Sequence, residues 1–224
     1  MANVLCVANQ KGGVGKTTTA VNVAAGLAMA GYQTLLVDLD PQCNATSGLG
    51  CQPSPSHGLL AKHALRKSIV ETSVQGLALL PGSRRFQDVE VLASGEPAAS
   101  ATIEEHLRSS TAAYEYVLID CPPSVGPLTQ SALAASSEVL MPIQCEYFAM
   151  EGLTQMIHVI RDVMQRPESS LTFGGIVLTM YEPQLELTAE VESEVREFFG
   201  EIVFNTVIPR DVTVSEAPSY GQPV

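Results

Sequence analysis

Residues 9–18 read NQKGGVGKTT. The stretch follows a β-branched apolar run, residues 4–8, and opens a helical stretch, residues 17–30, that stops at Gly31. Strand, glycine-rich loop and helix in that order match the phosphate-cradling pattern G-x-x-x-x-G-K-[ST], with one departure. Gln10 stands where the pattern has its first glycine, and an additional lysine, Lys11, follows it. Glycines at 12, 13 and 15 let backbone N–H groups converge on phosphate oxygens, and the helix N-terminus adds the positive end of its dipole. The residues expected to touch the bound nucleotide here are Gly12, Gly13, Val14, Gly15, Lys16, Thr17 and Thr18. Lys16 is expected to reach the outer phosphates, and the Thr17 hydroxyl to ligate Mg²⁺.

Working outward, further strand-like runs occupy 34–39, 77–80, 116–119, 139–143, 175–179 and 202–208. Helical stretches are expected over 59–67, 86–93, 102–108, 127–135, 151–165 and 189–199. Strand and helix alternate, and YVLID and TLLVDLD are almost continuously apolar, which predicts strands covered on both sides. The expectation is an α/β fold: a mostly parallel twisted sheet with helices on both faces, of P-loop NTPase type, in a single domain spanning residues 1–224. Ligands in such sheets sit at the carboxyl ends of the strands.

Acids gather at those ends. A magnesium ion keeps most of its waters, and carboxylates must orient them. Asp120 closes VLID, in the position that holds a magnesium-bound water. Asp38 and Asp40 stand two apart on an extended segment and so face one side. The metal set expected is therefore Thr17, Asp38, Asp40 and Asp120.

Composition bounds the rest. Hydrophobic residues make up 46% of the chain and charged ones 16%, which predicts a large buried core. The balance of 12 basic against 24 acidic residues, a net charge of −12, opposes broad attraction to nucleic acid or anionic membranes. No apolar run reaches the roughly 18 residues of a membrane span, and the N-terminal MANVLCVANQ lacks a charged leader, so a cytoplasmic location is expected. Cysteines at 6, 43, 51, 121 and 145 are odd in number and include no C-x-x-C pair, so free thiols are expected. The histidines at 57, 63, 106 and 158 have no carboxylate or cysteine partner by spacing.

KGGVGKTTTAVNVAAGLA, VDLDPQCNATSGLG, VLIDCPPS, PIQCEYFAMEGL and IPRDVTVSEAPSYGQP together resemble the ParA/Soj partition proteins, within the deviant Walker A (MinD/ParA) ATPases. The resemblance covers essentially the whole chain. It implies an ATP- and Mg²⁺-dependent sandwich homodimer, slow ATP hydrolysis stimulated by a ParB-like protein, and ATP-dependent binding to non-specific DNA. It also assigns roles: Lys11 reaches the partner's nucleotide, Lys16 serves its own, and Asp40 positions or activates the attacking water. Asp38 and Asp120 hold Mg²⁺ through water. A cation supplied in trans accelerates phosphoryl transfer by roughly 10³ to 10⁵ where an arginine plays that part. Such a lysine ties nucleotide state to oligomeric state. The segment 41–50 would be ordered by the γ-phosphate, and the adenine would lie near Met180, Pro209, Arg210 and Asp211.

Two positions depart from the family's DNA-binding pattern, with Gln184 and Thr213 where arginines are expected. From Glu168 onward there are ten acidic residues against two basic ones. The remaining basic clusters are Lys62, Arg66 and Lys67, and the pair Arg84–Arg85. Members of the family usually continue past G-x-P with a C-terminal helix; this sequence ends at Val224. Beside the partition ATPase stand three alternatives: the same switch positioning a protein cargo, an iron–sulfur carrier or electron-transfer protein, and a MinD-like membrane regulator. The last requires a basic amphipathic C-terminal helix, which the sequence does not contain.

Overall fold

The computed structural model describes residues 2–60, 65–85, 103, 105, 107, 112–147 and 153–224. Among the described residues, eight strands form one sheet: β1 (Asn3–Val7), β2 (Thr34–Asp38), β3 (Val70–Glu71), β4 (Leu77–Leu80), β5 (Tyr116–Asp120), β6 (Glu138–Gln144), β7 (Thr172–Tyr181) and β8 (Val203–Pro209). Their order is β3-β4-β2-β5-β1-β6-β7-β8, and every pair is parallel except the antiparallel β3–β4. The chain runs from β1 to one side of it and later to the other, so β1 marks the reversal where such sheets bind ligands.

The helices whose bounds lie among the described residues are α1 (Lys16–Met29), α2 (Asn44–Gly48), α3 (Pro127–Ala134), α4 (Leu153–Met164), α5 (Glu186–Phe199) and α6 (Val212–Glu216). Alternation along the strands divides the core. Cys6, Leu35, Val37, Ile119 and Met141 face one way, into a layer shared with Leu133, Met156, Ile160 and Val195 of α3, α4 and α5. Val7, Leu36, Leu118 and Leu140 face the other way, against Ala20, Ala24, Ala25 and Ala28 of α1. Alanines on that stripe let α1 sit close to the sheet, which holds its first turn against the end of β1. A fully buried leucine contributes roughly 2 kcal/mol, so layers of this size position the site firmly.

The expected mostly parallel α/β sheet with covered faces is present. Several bounds differ. β7 begins at Thr172 rather than 175, and α5 at Glu186 rather than 189. The continuous helix expected over 59–67 is absent from the described residues there, which form two 3₁₀ turns, Gly58–Leu60 and Leu65–Lys67. Leu59 and Leu65, each buried by its own turn, are six apart and would face different sides of one helix. Lys62, and with it the helical face expected of Lys62 and Arg66, lies outside the described residues. So does the helix expected over 86–93. Of 102–108, the described Ile103 and Leu107 are helical and buried, one turn apart. Among the described residues no helix is long and apolar enough to cross a membrane.

Candidate nucleotide site

β1 hands the chain to the loop at Ala8, and Asn9 ties that loop to β6: its side-chain amide donates to the Pro142 carbonyl at 2.7 Å, while its Oδ1 accepts from the Lys11 N–H. Gly13 and Gly15 take φ of 75° and 84°, left-handed conformations that a side chain would strain. Gly15 also caps α1, with no side-chain cap bond and no acid in the first turn. The first N–H groups of α1 therefore keep their donors for an anion. Val14 is buried, and its carbonyl accepts from the Thr179 hydroxyl of β7 at 2.9 Å.

Lys16 is buried, and its ammonium donates to the Lys11 carbonyl at 2.8 Å. Burial lowers its pKa, while the charges of Asp120 and Asp40 oppose that effect. The expected acids converge on this point. Sheet register sets Asp38 beside Asp120 and Asp120 beside Val7, directly below the loop. Asp40 lies just beyond the end of β2, buried, with its Oδ1 accepting from the Gln42 N–H at 2.9 Å.

The two neighbouring carboxylates differ sharply. Asp38 Oδ2 accepts from both the N–H and the hydroxyl of Thr46, and its Oδ1 accepts from the Asp40 N–H. Asp120 is fully buried, and neither of its oxygens has a hydrogen bond of normal geometry, although the Thr17 hydroxyl lies near enough to favour its charged form. Burial, then the Asp38 charge, pushes the Asp120 carboxyl well above the usual carboxylate range. A bare buried carboxylate beside Lys16 and Thr17 is costly unless a cation or its waters complete it. The donor set fits magnesium: Thr17 as ligand, with Asp38 and Asp120 for its waters. Among the described residues, no three or more His, Cys, Asp or Glu side chains group to hold a metal ion, and a largely hydrated ion needs no such group.

The four residues expected near the base also come together. Met180, Pro209, Arg210 and Asp211 line a cavity of about 140 Å³ together with Gly15 and Thr18 of the phosphate loop. Met180 holds a left-handed φ of 51°. The Arg210 guanidinium pairs with Glu182 at 2.7 Å, and Asp211 caps α6 by accepting from the Thr213 N–H. A larger cavity of about 640 Å³ between α1 and β8 is lined by apolar side chains such as Leu140, Val177 and Phe204, and lacks the convergent polar groups a phosphate requires.

Lys11 points its ammonium at Glu146, 3.4 Å away, from the exposed mouth of the loop. The sequence pattern missed two supporting residues. Thr46 is buried against Asp38, and His57, read as isolated, places Nε2 3.0 Å from the Asp38 carbonyl while its Nδ1 accepts from the Leu59 N–H. That arrangement makes Nε2 the protonated nitrogen. No spacing rule joins positions 38, 46 and 57; the only signal was the density of hydrogen-bonding residues after Asp40.

Residues 2–173 match a family described as an AAA domain. The chain is 42% identical over 229 residues to the chromosome partitioning protein ParA of Myxococcus xanthus, spanning all of this chain and 81% of that one. It is 45% identical to the chromosome-partitioning ATPase Soj of Treponema pallidum, over all of this chain and 89% of that protein. Among solved structures, the cobyrinic acid a,c-diamide synthase of Mycobacterium smegmatis with bound ADP and magnesium superposes with a TM-score of 0.87 at 32% identity, covering 99% of this chain and 93% of that one. With loop, acids, fold and full-length relatives in agreement, the chain belongs to the ParA/Soj family of deviant Walker A P-loop ATPases.

Proposed function

We propose that this chain is an ATP-dependent switch for chromosome or plasmid partition, all 224 residues acting as one ATPase domain. It binds ATP with Mg²⁺, pairs with a second copy, holds non-specific DNA in that state, and is reset when a ParB-like protein stimulates hydrolysis. Lys16 and the loop N–H groups hold the phosphates, Thr17 ligates the ion, and Asp38 and Asp120 orient its waters. Asp40 positions the attacking water, and Lys11 neutralises charge on the nucleotide of the other copy. Met180, Pro209, Arg210 and Asp211 enclose the base. The location is cytoplasmic, on the nucleoid. The observation that carries this reading is the bare, buried Asp120 carboxylate beside Lys16 at the foot of a glycine loop.

Titration with ATP tests the site. Lys16→Ala should lose binding, and unchanged affinity overturns the assignment. Asp40→Ala should keep ATP and run as a dimer in size-exclusion chromatography; normal hydrolysis by that variant removes Asp40 from catalysis.

The same engine positioning a protein cargo is the second reading. Gln184 and Thr213 favour it: both are exposed, where arginines would have met DNA.

A further inference from the structure

The helix α2 is bonded to the metal side of the site through one residue. Thr46 is fully buried and donates twice to Asp38 Oδ2, from its N–H at 2.8 Å and its hydroxyl at 2.6 Å. Its hydroxyl oxygen in turn accepts from the Gly82 N–H at 2.9 Å. A hydroxyl has one hydrogen, so the direction of this chain is settled: Gly82 to Thr46 to Asp38. Gly82 comes this close only because it has no side chain, since a Cβ there would lie 2.9 Å from Cys43 Sγ and 3.0 Å from Asp38 Cγ.

The rest of Asp38 is held as well. Oδ1 accepts from the Asp40 N–H at 3.2 Å. The main-chain carbonyl finds little just past β4, where Pro81 has no N–H and Gly82 has given its own to Thr46, and it accepts instead from His57 Nε2. A carboxylate offers about four acceptor positions. Both on Oδ2 and one on Oδ1 are taken, so a single position on Oδ1 remains. Asp120, its register neighbour, has none taken.

We infer that Thr46 is a positioning residue: by occupying Oδ2 it presents the remaining position of Asp38 to the hydrated cation, and by the same two bonds it makes α2 respond to that cation. The inference rests on the magnesium role proposed above for Asp38. Coupling of this kind is reciprocal: whatever holds α2 in place strengthens cation binding, and the cation steadies α2.

The test uses the full chain with a fluorescent ATP analogue, titrated once with Mg²⁺ and once with EDTA, beside amide hydrogen exchange over residues 44–49. Thr46→Val keeps the shape and removes the hydroxyl. It should weaken binding with Mg²⁺ by about tenfold, the low end for loss of an outer-shell partner, while leaving affinity in EDTA unchanged. The magnesium-dependent slowing of exchange over 44–49 should vanish. Thr46→Ser should restore both. Gly82→Ala, which leaves Thr46 intact but crowds Asp38, should reproduce the magnesium-specific loss and decides the matter if the valine variant does not fold. Wild-type magnesium dependence in Thr46→Val, or an equal loss in EDTA, overturns the inference. Asp38→Asn separates the two levels: if it leaves magnesium dependence untouched, the underlying role of Asp38 has failed, whereas a loss there with none in Thr46→Val sinks the coupling alone.

Discussion

Asp38 sits in the sheet with its pKa pushed up from 3.8 to about 6, chiefly by burial and against the lowering effect of the Thr46 bonds. Between about pH 4 and 6 the unfolded chain has lost this proton while the folded protein still holds it, so stability falls as pH rises through that window. The span corresponds to about 3 kcal/mol. With EDTA and no nucleotide, Asp38→Asn should therefore raise the melting temperature at pH 7.5, by about 1–3 kcal/mol of stability once the altered Thr46 bond is counted. At pH 4.5 it should change little, and an equal effect at both values would contradict the assignment. Lys11 presents the opposite case. Its ion pair with Glu146 is partly exposed and worth at most about 1 kcal/mol, so the lysine is free to leave it. Lys11→Ala should lose partner-stimulated hydrolysis while ATP affinity in a titration stays near wild type; wild-type turnover would mark Lys11 as an ordinary surface charge.

Elements with a strong periodic signal were legible. β1, β2, β4 and β5 fall within a residue or two of their expected bounds, because a buried parallel strand has to be apolar along its length. The five-residue α2 and α6 were not anticipated: a helix of little more than one turn has no period to display. β7 begins at Thr172, ahead of its expected start at 175, because Thr172 and Gly174 interrupt the apolar run that marks the strand. In the sheet Gly175 takes φ of 152°, at the register shift between β6 and β7, and a Cβ there would lie 2.7 Å from the Phe204 ring of β8. Gly175→Ala should cost about 1–3 kcal/mol by overpacking, measured by urea unfolding, with nucleotide affinity unchanged because the site lies at the far ends of these strands. A variant as stable as wild type would show that β8 can give way.

Across the whole molecule, sheet order turns composition into polarity. Arg66 and Lys67 precede β3 at one edge and Arg84–Arg85 follow β4, whereas Glu186, Glu190, Glu194, Glu197 and Glu201 lie on or just after α5, beside β8 at the other edge. If the dimer holds DNA, the exposed pair Arg84–Arg85 is placed to contribute to the contact. Retention of Asp40→Ala with ATP on non-specific duplex should then fall steeply with salt, and Arg84→Ala combined with Arg85→Ala should weaken it; no retention at low salt, with the dimer confirmed, favours the protein-cargo reading. By itself the sequence determined the loop from Lys11 to Thr18, the strand-end acids and the family, because backbone geometry and phosphate chemistry act on neighbouring residues and leave local patterns. Only the tertiary structure decided that Asp38 and Asp120 stand side by side with one carboxylate satisfied and the other bare, and that Thr46, His57 and Gly82 hold the first. Those contacts depend on strand register and on loops converging from separate crossovers, where side chains distant in sequence meet without any spacing that could announce them.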